Sequence, residues 1–160
     1  MPTAEEIRRL LQLRPLPHEG GWFAEAHRSP LVLPGTTRAL SSVIYYLVEP
    51  RGFSALHRLD AEEVFHFYLG DPVEMLQLGP GDDARVLRLG GDLAAGERPL
   101  AVVPAGAWQG TRLAPGGSWA LLGTTMAPAY EVGGFELGLR AELVARWPAH
   151  RALIEALTRR

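Results

Sequence analysis

Two side chains near the middle of the chain, His57 and Glu63, are of types that carry acid-base chemistry. Each lies in a stretch of alternating apolar residues that predicts a β-strand, over residues 53–59 and 63–69, and the polar residues 60–62 predict a turn between them. In such a hairpin the two side chains project from the same face as diagonal neighbours. A histidine held by a carboxylate is a competent general base for removing a proton next to a carbonyl.

The predicted hairpin also specifies a strand register. A three-residue turn pairs Leu59 with Glu63 and His57 with Phe65. The histidine and the carboxylate could then act together in catalysis, or they could satisfy each other in a polar pocket that only binds a ligand. The spacing leaves both interpretations open.

Composition excludes several kinds of chemistry. The 160 residues include no Cys, which removes disulfides, thiolate nucleophiles and zinc–thiolate sites. All 16 basic residues are Arg, so no lysine can form a Schiff base. The formal net charge of -2 argues against a general attraction to nucleic acid or anionic membrane, and the chain has no signal-like start or long apolar run. We therefore expect one cytoplasmic domain over residues 1–160 that binds neither nucleic acid nor membrane.

Short helices are predicted at both ends of the chain. Thr3 and Glu6 have capping-box spacing, and the apolar residues that follow recur at helical intervals, which predicts a helix over about 4–12. Apolar spacing also predicts two helices over about 139–158, interrupted at Pro148. We expect all three helices to pack on the outside of a sheet.

The region between these helices, about 18–137, has the pattern of short strands separated by turns. Residues 39–48 are strongly strand-like, with apolar side chains on both faces. Residues 73–78 and 84–89 flank a loop rich in glycine and aspartate, which predicts a hairpin. Many short strands at regular spacing indicate a sandwich or a barrel, so we predict an all-β fold.

The spacing around His57 is also that of a known motif. The first cupin motif has Gly, His, a second His, Glu and Gly, and Gly52, His57, Glu63 and Gly70 fall almost on that frame. Leu59 stands where the motif has its second His.

A second cupin motif, Pro-x-Gly followed by two residues and His, is similar to residues 104–109, with Gln109 in place of the His. The similarity extends over nearly the whole chain, at residues 18–23, 28–29, 42–47, 57–58, 62–67, 70–72, 93–97, 103–109 and 127–128. On these residues the chain resembles the cupin family once grouped as a domain of unknown function, whose members are labelled predicted sugar epimerases.

The resemblance implies a cupin-type double-stranded β-helix, a jelly-roll barrel of the RmlC-like kind, with short terminal α-helices. It also implies a homodimer and a small-molecule ligand, carbohydrate or nucleotide-sugar-like, in the barrel mouth. Epimerases of this superfamily work without metal, so the implied activity is a metal-independent epimerase or isomerase with His57 as base and Glu63 as its orienter. The alternatives are a non-catalytic binding or sensing protein and a metal-dependent enzyme.

Ligand-binding residues are expected around this pair on several strands: Arg28, Ser42, Tyr46, Phe65, Trp108 and Gln109. Tyr46 and Gln109 are candidates to hydrogen-bond a substrate hydroxyl or an enolate. Arg28 or Arg38 is a candidate for binding a phosphate or carboxylate.

A metal site would use a small donor set. The cupin frame supplies His57, Glu63 and Gln109, whereas a divalent ion usually binds three or four converging His or carboxylate ligands. We therefore expect no metal cofactor.

Overall fold

The computed structural model describes residues 1–159. Its elements in chain order are α1 (Ala4–Leu10), β1 (Arg14–Pro15), β2 (Trp22–Arg28), β3 (Ser42–Val48), β4 (Phe53–Leu59), β5 (Glu62–Gly70), β6 (Val73–Leu78), β7 (Ala84–Leu89), β8 (Leu100–Val103), β9 (Trp108–Leu113), β10 (Ala120–Ala127), β11 (Phe135–Leu137), α2 (Arg140–Arg146) and α3 (Arg151–Ala156). Short 3₁₀ turns at Val132–Gly134 and Pro148–His150 precede β11 and α3.

The strands form two antiparallel sheets that pack against each other. One has the order β1-β2-β3-β10-β5-β8 and the other the order β11-β4-β9-β6-β7. The main hydrophobic core includes Tyr46, Phe65 and Leu122 from the first sheet and Met75 and Leu113 from the second. This arrangement confirms the predicted all-β jelly roll with short terminal helices.

Helix α1 covers the outer face of the six-stranded sheet. The predicted capping box is present, because the Glu6 N–H donates to the Thr3 hydroxyl at 3.2 Å and the Thr3 N–H donates to the Glu6 carboxylate at 2.7 Å. Ile7 packs against Leu47 and Leu121 of the sheet. The helix ends at Leu10, slightly earlier than the sequence predicts.

Helices α2 and α3 cover the five-stranded sheet. Leu143, Ile154 and Leu157 are buried against Leu56 of β4 and Leu76 of β6. Within the described part of the chain, the helices are all too short or too polar to cross a membrane.

The hairpin predicted over residues 73–89 is confirmed. β6 and β7 pair antiparallel, with Val73 opposite Leu89 and Leu78 opposite Ala84.

The hairpin predicted between β4 and β5 is wrong. β4 belongs to the five-stranded sheet and β5 to the six-stranded sheet, so residues 60 and 61 carry the chain from one sheet to the other. Leu59 pairs with Phe135 of β11 rather than with Glu63, and His57 pairs with Gln109 of β9 rather than with a residue of β5. His57 and Glu63 therefore approach the barrel interior from two facing sheets.

Hydrogen bonds from Arg38 hold this crossing in position. The guanidinium donates two bonds of 2.8 Å to the Asp60 carboxylate and one of 2.8 Å to the Ala129 carbonyl. The Asp60 N–H donates to the Gly134 carbonyl at 3.0 Å. Hydrogen bonds from Arg38 lower the pKa of Asp60 below its ordinary value. Arg38, which we considered for anion binding, is engaged by the carboxylate of its own chain.

Candidate functional site

A cavity of about 150 Å³ lies at one end of the barrel. Both candidate catalytic residues, His57 and Glu63, line it, together with Glu19 and Thr124. Most of the remaining wall is apolar and includes Leu16, Phe23, Ile44, Leu59, Met126, Val132 and Phe135. The cavity thus combines a few ionisable groups with an apolar wall, which is the usual composition of a small-molecule site.

His57 is held in one orientation and one tautomer. It is 2% exposed, and the Phe135 ring stacks on the imidazole with 5.1 Å between ring centroids. Nδ1 lies 2.7 Å from the Ala55 carbonyl oxygen, which can only accept, so Nδ1 carries a proton. Nε2 is therefore the nitrogen that is available for proton exchange.

Glu19 brings a second carboxylate to His57. Its Oε2 lies 3.9 Å from His57 Nε2, and its Oε1 accepts a 2.8 Å hydrogen bond from the Ser54 hydroxyl. The loop between β1 and β2 carries Glu19, and Gly20 and Gly21 adopt positive φ angles of 107° and 74° there. We did not predict this role for Glu19. The only signal in the sequence is its position in the glycine-rich stretch 18–23 that resembles the cupin family.

Glu63 lies on the facing wall and is 6% exposed. The Gln109 amide donates a hydrogen bond to its carboxylate. Burial raises the pKa of Glu63 and the nearby charge of Glu19 raises it further, whereas His57 and hydrogen bonds from Thr124 and Gln109 act in the opposite direction. Glu63 is consequently a carboxyl group that holds its proton to a higher pH than an exposed glutamate.

The donor groups do not fit a metal ion. Among residues 1–159, no group of three His, Cys, Asp or Glu side chains is arranged to hold one. Gln109 directs its amide N–H toward Glu63, while its oxygen is buried without a hydrogen-bond partner in the described part of the chain. Since the Glu63 carboxylate is bonded to the Gln109 amide, this set offers fewer donors than the three or four that a divalent ion usually binds, and we assign no reaction step to a metal.

Ser42 and Tyr46 also line the cavity, and both are engaged by backbone groups. The Ser42 hydroxyl accepts a 2.9 Å hydrogen bond from the Tyr130 N–H. The Tyr46 hydroxyl donates to the Gly20 carbonyl at 2.9 Å, and burial raises the pKa of Tyr46 well above its ordinary value. Tyr46 therefore supports the loop that carries Glu19.

Four of the candidate ligand-binding residues do not line the cavity: Arg28, Phe65, Trp108 and Gln109. Gln109 contacts it through the hydrogen bond to Glu63. Phe65 is part of the core between the sheets, and Trp108 packs against the C-terminal helices, with the Arg58 guanidinium 4.6 Å from its ring centroid. Arg28 is bound to Glu25 and to a backbone carbonyl. Successive residues of a strand point to opposite sides, so Trp108 cannot share the inner face with Gln109.

Comparisons with known proteins agree with this architecture. An X-ray structure of a protein from Shewanella oneidensis is 32% identical, with a TM-score of 0.92 and 99% of each chain covered. A hypothetical protein from Leishmania major is 29% identical, with a TM-score of 0.90 over 99% of this chain and 100% of that one. A dTDP sugar isomerase from Desulfovibrio desulfuricans is 21% identical, with a TM-score of 0.54 over 79% of this chain and 80% of that one, and shows a likeness of fold alone. No curated protein matches the sequence.

Two facing antiparallel sheets with a pocket at one end of the barrel are the architecture of a cupin jelly roll. The sequence matches the family described as Cupin superfamily (DUF985) over residues 5–138, and the chain belongs to that family.

Proposed function

We propose that this protein is a metal-independent isomerase or epimerase that moves a proton on a small carbohydrate-like carbonyl compound. The observation that carries the proposal is the presence of two proton-transferring groups, His57 and Glu63, which enter one small cavity from facing sheets. Two groups with different proton affinities around one cavity are the usual requirement for acid-base catalysis.

His57 is the base in this proposal. Its Nδ1–H is committed to the Ala55 carbonyl, so Nε2 can accept a proton without a change of tautomer. Glu19, 3.9 Å from Nε2, stabilises the imidazolium that then forms. The orienting group is therefore a backbone carbonyl, and Glu63 is free for another role.

Glu63 is the acid. Burial raises its pKa, so the carboxyl group holds a proton to higher pH than an exposed glutamate does, and this is the proton that it gives to a substrate. The Gln109 amide fixes the orientation of this carboxyl group.

The proposed reaction begins when His57 Nε2 takes the proton from the carbon next to the carbonyl. The electron pair of the C–H bond forms a C=C bond, the carbonyl π pair moves to oxygen, and Glu63 gives its proton to that oxygen. In isomerisation, His57 returns the proton to the former carbonyl carbon while the Glu63 carboxylate takes the proton of the neighbouring hydroxyl, whose oxygen becomes the new carbonyl. Both groups then hold the same protons as at the start. In epimerisation, Glu63 does not protonate the oxygen: it gives its proton to the opposite face of the original carbon while the enolate electron pair moves back and re-forms the carbonyl. His57 then releases its proton to water and Glu63 takes one up, which restores both groups.

The size of the cavity limits the substrate. About 150 Å³ is the volume of an engineered protein cavity that holds one benzene molecule. The cavity would therefore take a single sugar ring or an open-chain sugar of similar size. In a nucleotide sugar, the nucleotide would stay outside the cavity.

The test is exchange of a carbon-bound proton with deuterated water. Aldoses of three to six carbons and the matching ketoses are incubated with the protein in D₂O, together with any molecule that native mass spectrometry finds on the purified protein. Proton NMR then measures the loss of the signal of the C–H next to the carbonyl, at C2 of an aldose and at C1 or C3 of a ketose. We expect exchange with at least one compound, and a rate at least about 100-fold lower for His57→Gln and Glu63→Gln.

The matched control is His66→Gln. His66 lies on the same strand as Glu63 but bonds to Thr125 at 3.2 Å and does not line the cavity. This variant should exchange at the wild-type rate. Equal loss in His66→Gln and His57→Gln would contradict the assignment of the base.

The largely apolar wall favours a second candidate, a protein that binds a small molecule without reacting it. A retained compound that binds but never exchanges its C–H proton would select this alternative.

A further inference from the structure

A β-bulge in β4 frees two backbone N–H groups beside the site. The β4–β9 ladder pairs Ser54 with Thr111 and His57 with Gln109, which leaves an extra residue on β4. The Ala55 N–H then donates to the Glu19 carbonyl at 2.8 Å.

The next N–H, that of Leu56, donates to the Leu157 carbonyl at 2.7 Å. The bulge therefore holds two distant segments side by side: the loop that carries Glu19 and the segment that follows α3. A buried N–H without such a partner would be costly, so each contact is strongly favoured.

Arg159 joins these two segments directly. Its Nε donates to the His18 carbonyl and its Nη2 to the Glu19 carbonyl, each at 3.1 Å. The guanidinium also lies 5.0 Å from the centroid of the Phe53 ring. Because the guanidinium is planar and rigid, these two bonds fix two consecutive peptide groups of the loop.

The same contacts reach the proposed base. The Glu19 carbonyl accepts from both Arg159 and the Ala55 N–H, and the Ala55 carbonyl accepts from His57 Nδ1. The Glu19 side chain then faces His57 Nε2. One continuous set of hydrogen bonds thus runs from Arg159 to the imidazole.

We propose that Arg159 is a positioning residue that docks the 18–21 loop on the β4 bulge and so keeps the Glu19 carboxylate beside His57 and Glu63. The value of this docking for catalysis rests on the proposed function, whereas the docking itself does not depend on it.

The test compares Arg159→Ala and Arg159→Lys with the wild type. Arg151→Ala is the control, because Arg151 is an exposed arginine whose ion-pair partner among residues 1–159 is Glu155 of its own helix, at 3.3 Å. Amide hydrogen exchange is measured by NMR at Ala55 and at Leu56. In Arg159→Ala, the amide proton of Ala55 should exchange about tenfold faster, because the loop that accepts its hydrogen bond loses the charged donor Arg159. The exchange rate of the Leu56 amide proton should stay within about twofold of the wild type.

A second readout follows the site itself. The nearby charge of Glu19 helps to raise the pKa of Glu63, so release of the loop should lower the Glu63 pKa, measured by carbon-13 NMR of its carboxyl group. Glu19→Gln removes the charge itself, so it gives the largest decrease in the Glu63 pKa that release of the loop could cause. Arg159→Lys keeps the charge but not the planar set of guanidinium N–H donors, so its Ala55 exchange rate and its Glu63 pKa should lie between those of the wild type and Arg159→Ala.

Unchanged exchange at Ala55 in Arg159→Ala, or equal acceleration at Ala55 and Leu56, would overturn the proposal, as would an unchanged Glu63 pKa. These readouts need no substrate. If amide exchange at Ala55 and the Glu63 pKa change as expected while the wild type never exchanges a substrate proton, the positioning role stands and the proposed function fails. If the wild type exchanges a substrate proton but neither readout changes in Arg159→Ala, the proposed function stands and the role of Arg159 fails.

Discussion

Gly20 offers a direct test of how tightly the Glu19 loop is seated. A Cβ atom at this position would lie 2.3 Å from the Phe53 carbonyl oxygen and 2.6 Å from Arg159 Nη2, and the φ angle of 107° is unfavourable for an L-residue. The Gly20→Ala variant must therefore both strain its backbone and push the loop away from β4. Gly35 has a φ angle of 76°, yet within residues 1–159 a Cβ there meets no atom closer than 4 Å. Gly35→Ala is thus the matched control for the backbone cost.

The expected magnitude follows from these contacts. A positive φ costs an alanine about 1–2 kcal/mol, and the lower entropy of the unfolded chain returns about 0.4–1 kcal/mol. Both variants share these two contributions. Gly20→Ala has in addition the cost of overpacking, about 1–3 kcal/mol, since the Phe53 carbonyl belongs to the backbone and cannot rotate away. The difference between the two variants should therefore be about 1–3 kcal/mol.

Urea unfolding followed by circular dichroism measures this difference. For a chain of this length it corresponds to a melting temperature about 3–9 °C lower for Gly20→Ala than for Gly35→Ala. Equal unfolding midpoints and equal slopes for the two variants would show that the loop is not packed against β4 as described.

Two further predictions concern Glu63 and the oligomeric state. Because burial raises the pKa of Glu63, the native state keeps a proton that the unfolded state releases, and this contribution to stability is lost as pH rises from the ordinary glutamate pKa toward the raised value. Glu63→Gln should therefore match the wild type near pH 4 and become the more stable of the two as pH rises. The difference in free energy of unfolding should grow by up to about 1.4 kcal/mol per pH unit in that window. A wild type that gains stability relative to the variant with rising pH would refute this. The homodimer implied by the family resemblance should give twice the mass of one chain in light scattering. Leu100→Asp, on the exposed edge strand β8, should weaken the dimer, whereas Leu31→Asp, in an exposed loop, should not. A wild-type monomer at micromolar concentration would contradict the expectation.

Much of the fold could be predicted because its signals are local. Alternation of apolar residues marks β6 and β7, and the turn residues between them produce the observed hairpin. The capping box at Thr3 and Glu6 marks the start of α1 in the same way. Each of these features depends on residues only a few positions apart.

The links between strands were harder to predict. The short break between β4 and β5 is typical of a hairpin, yet the chain crosses between the sheets there because Arg38 and Gly134, both distant in sequence, bind Asp60. The aromatic residues illustrate the same limit. Phe65 and Trp108 were candidates for the cavity, but one packs in the core and the other under the C-terminal helices.

The sequence by itself determined which chemistry is available. It has no thiol and no lysine, and its cupin frame retains His57 and Glu63 but has Leu59 and Gln109 where two further histidines stand in the motif. Those facts depend only on residue types and spacing.

The tertiary structure decided which groups meet. It brings Glu19 from the β1–β2 loop to 3.9 Å from His57, holds His57 by a backbone carbonyl, and sets Glu63 on the opposite sheet with its carboxyl group buried. The physical reason is that these contacts join segments far apart in the chain, and that a pKa depends on burial and neighbouring charge, which exist only once the two sheets have packed.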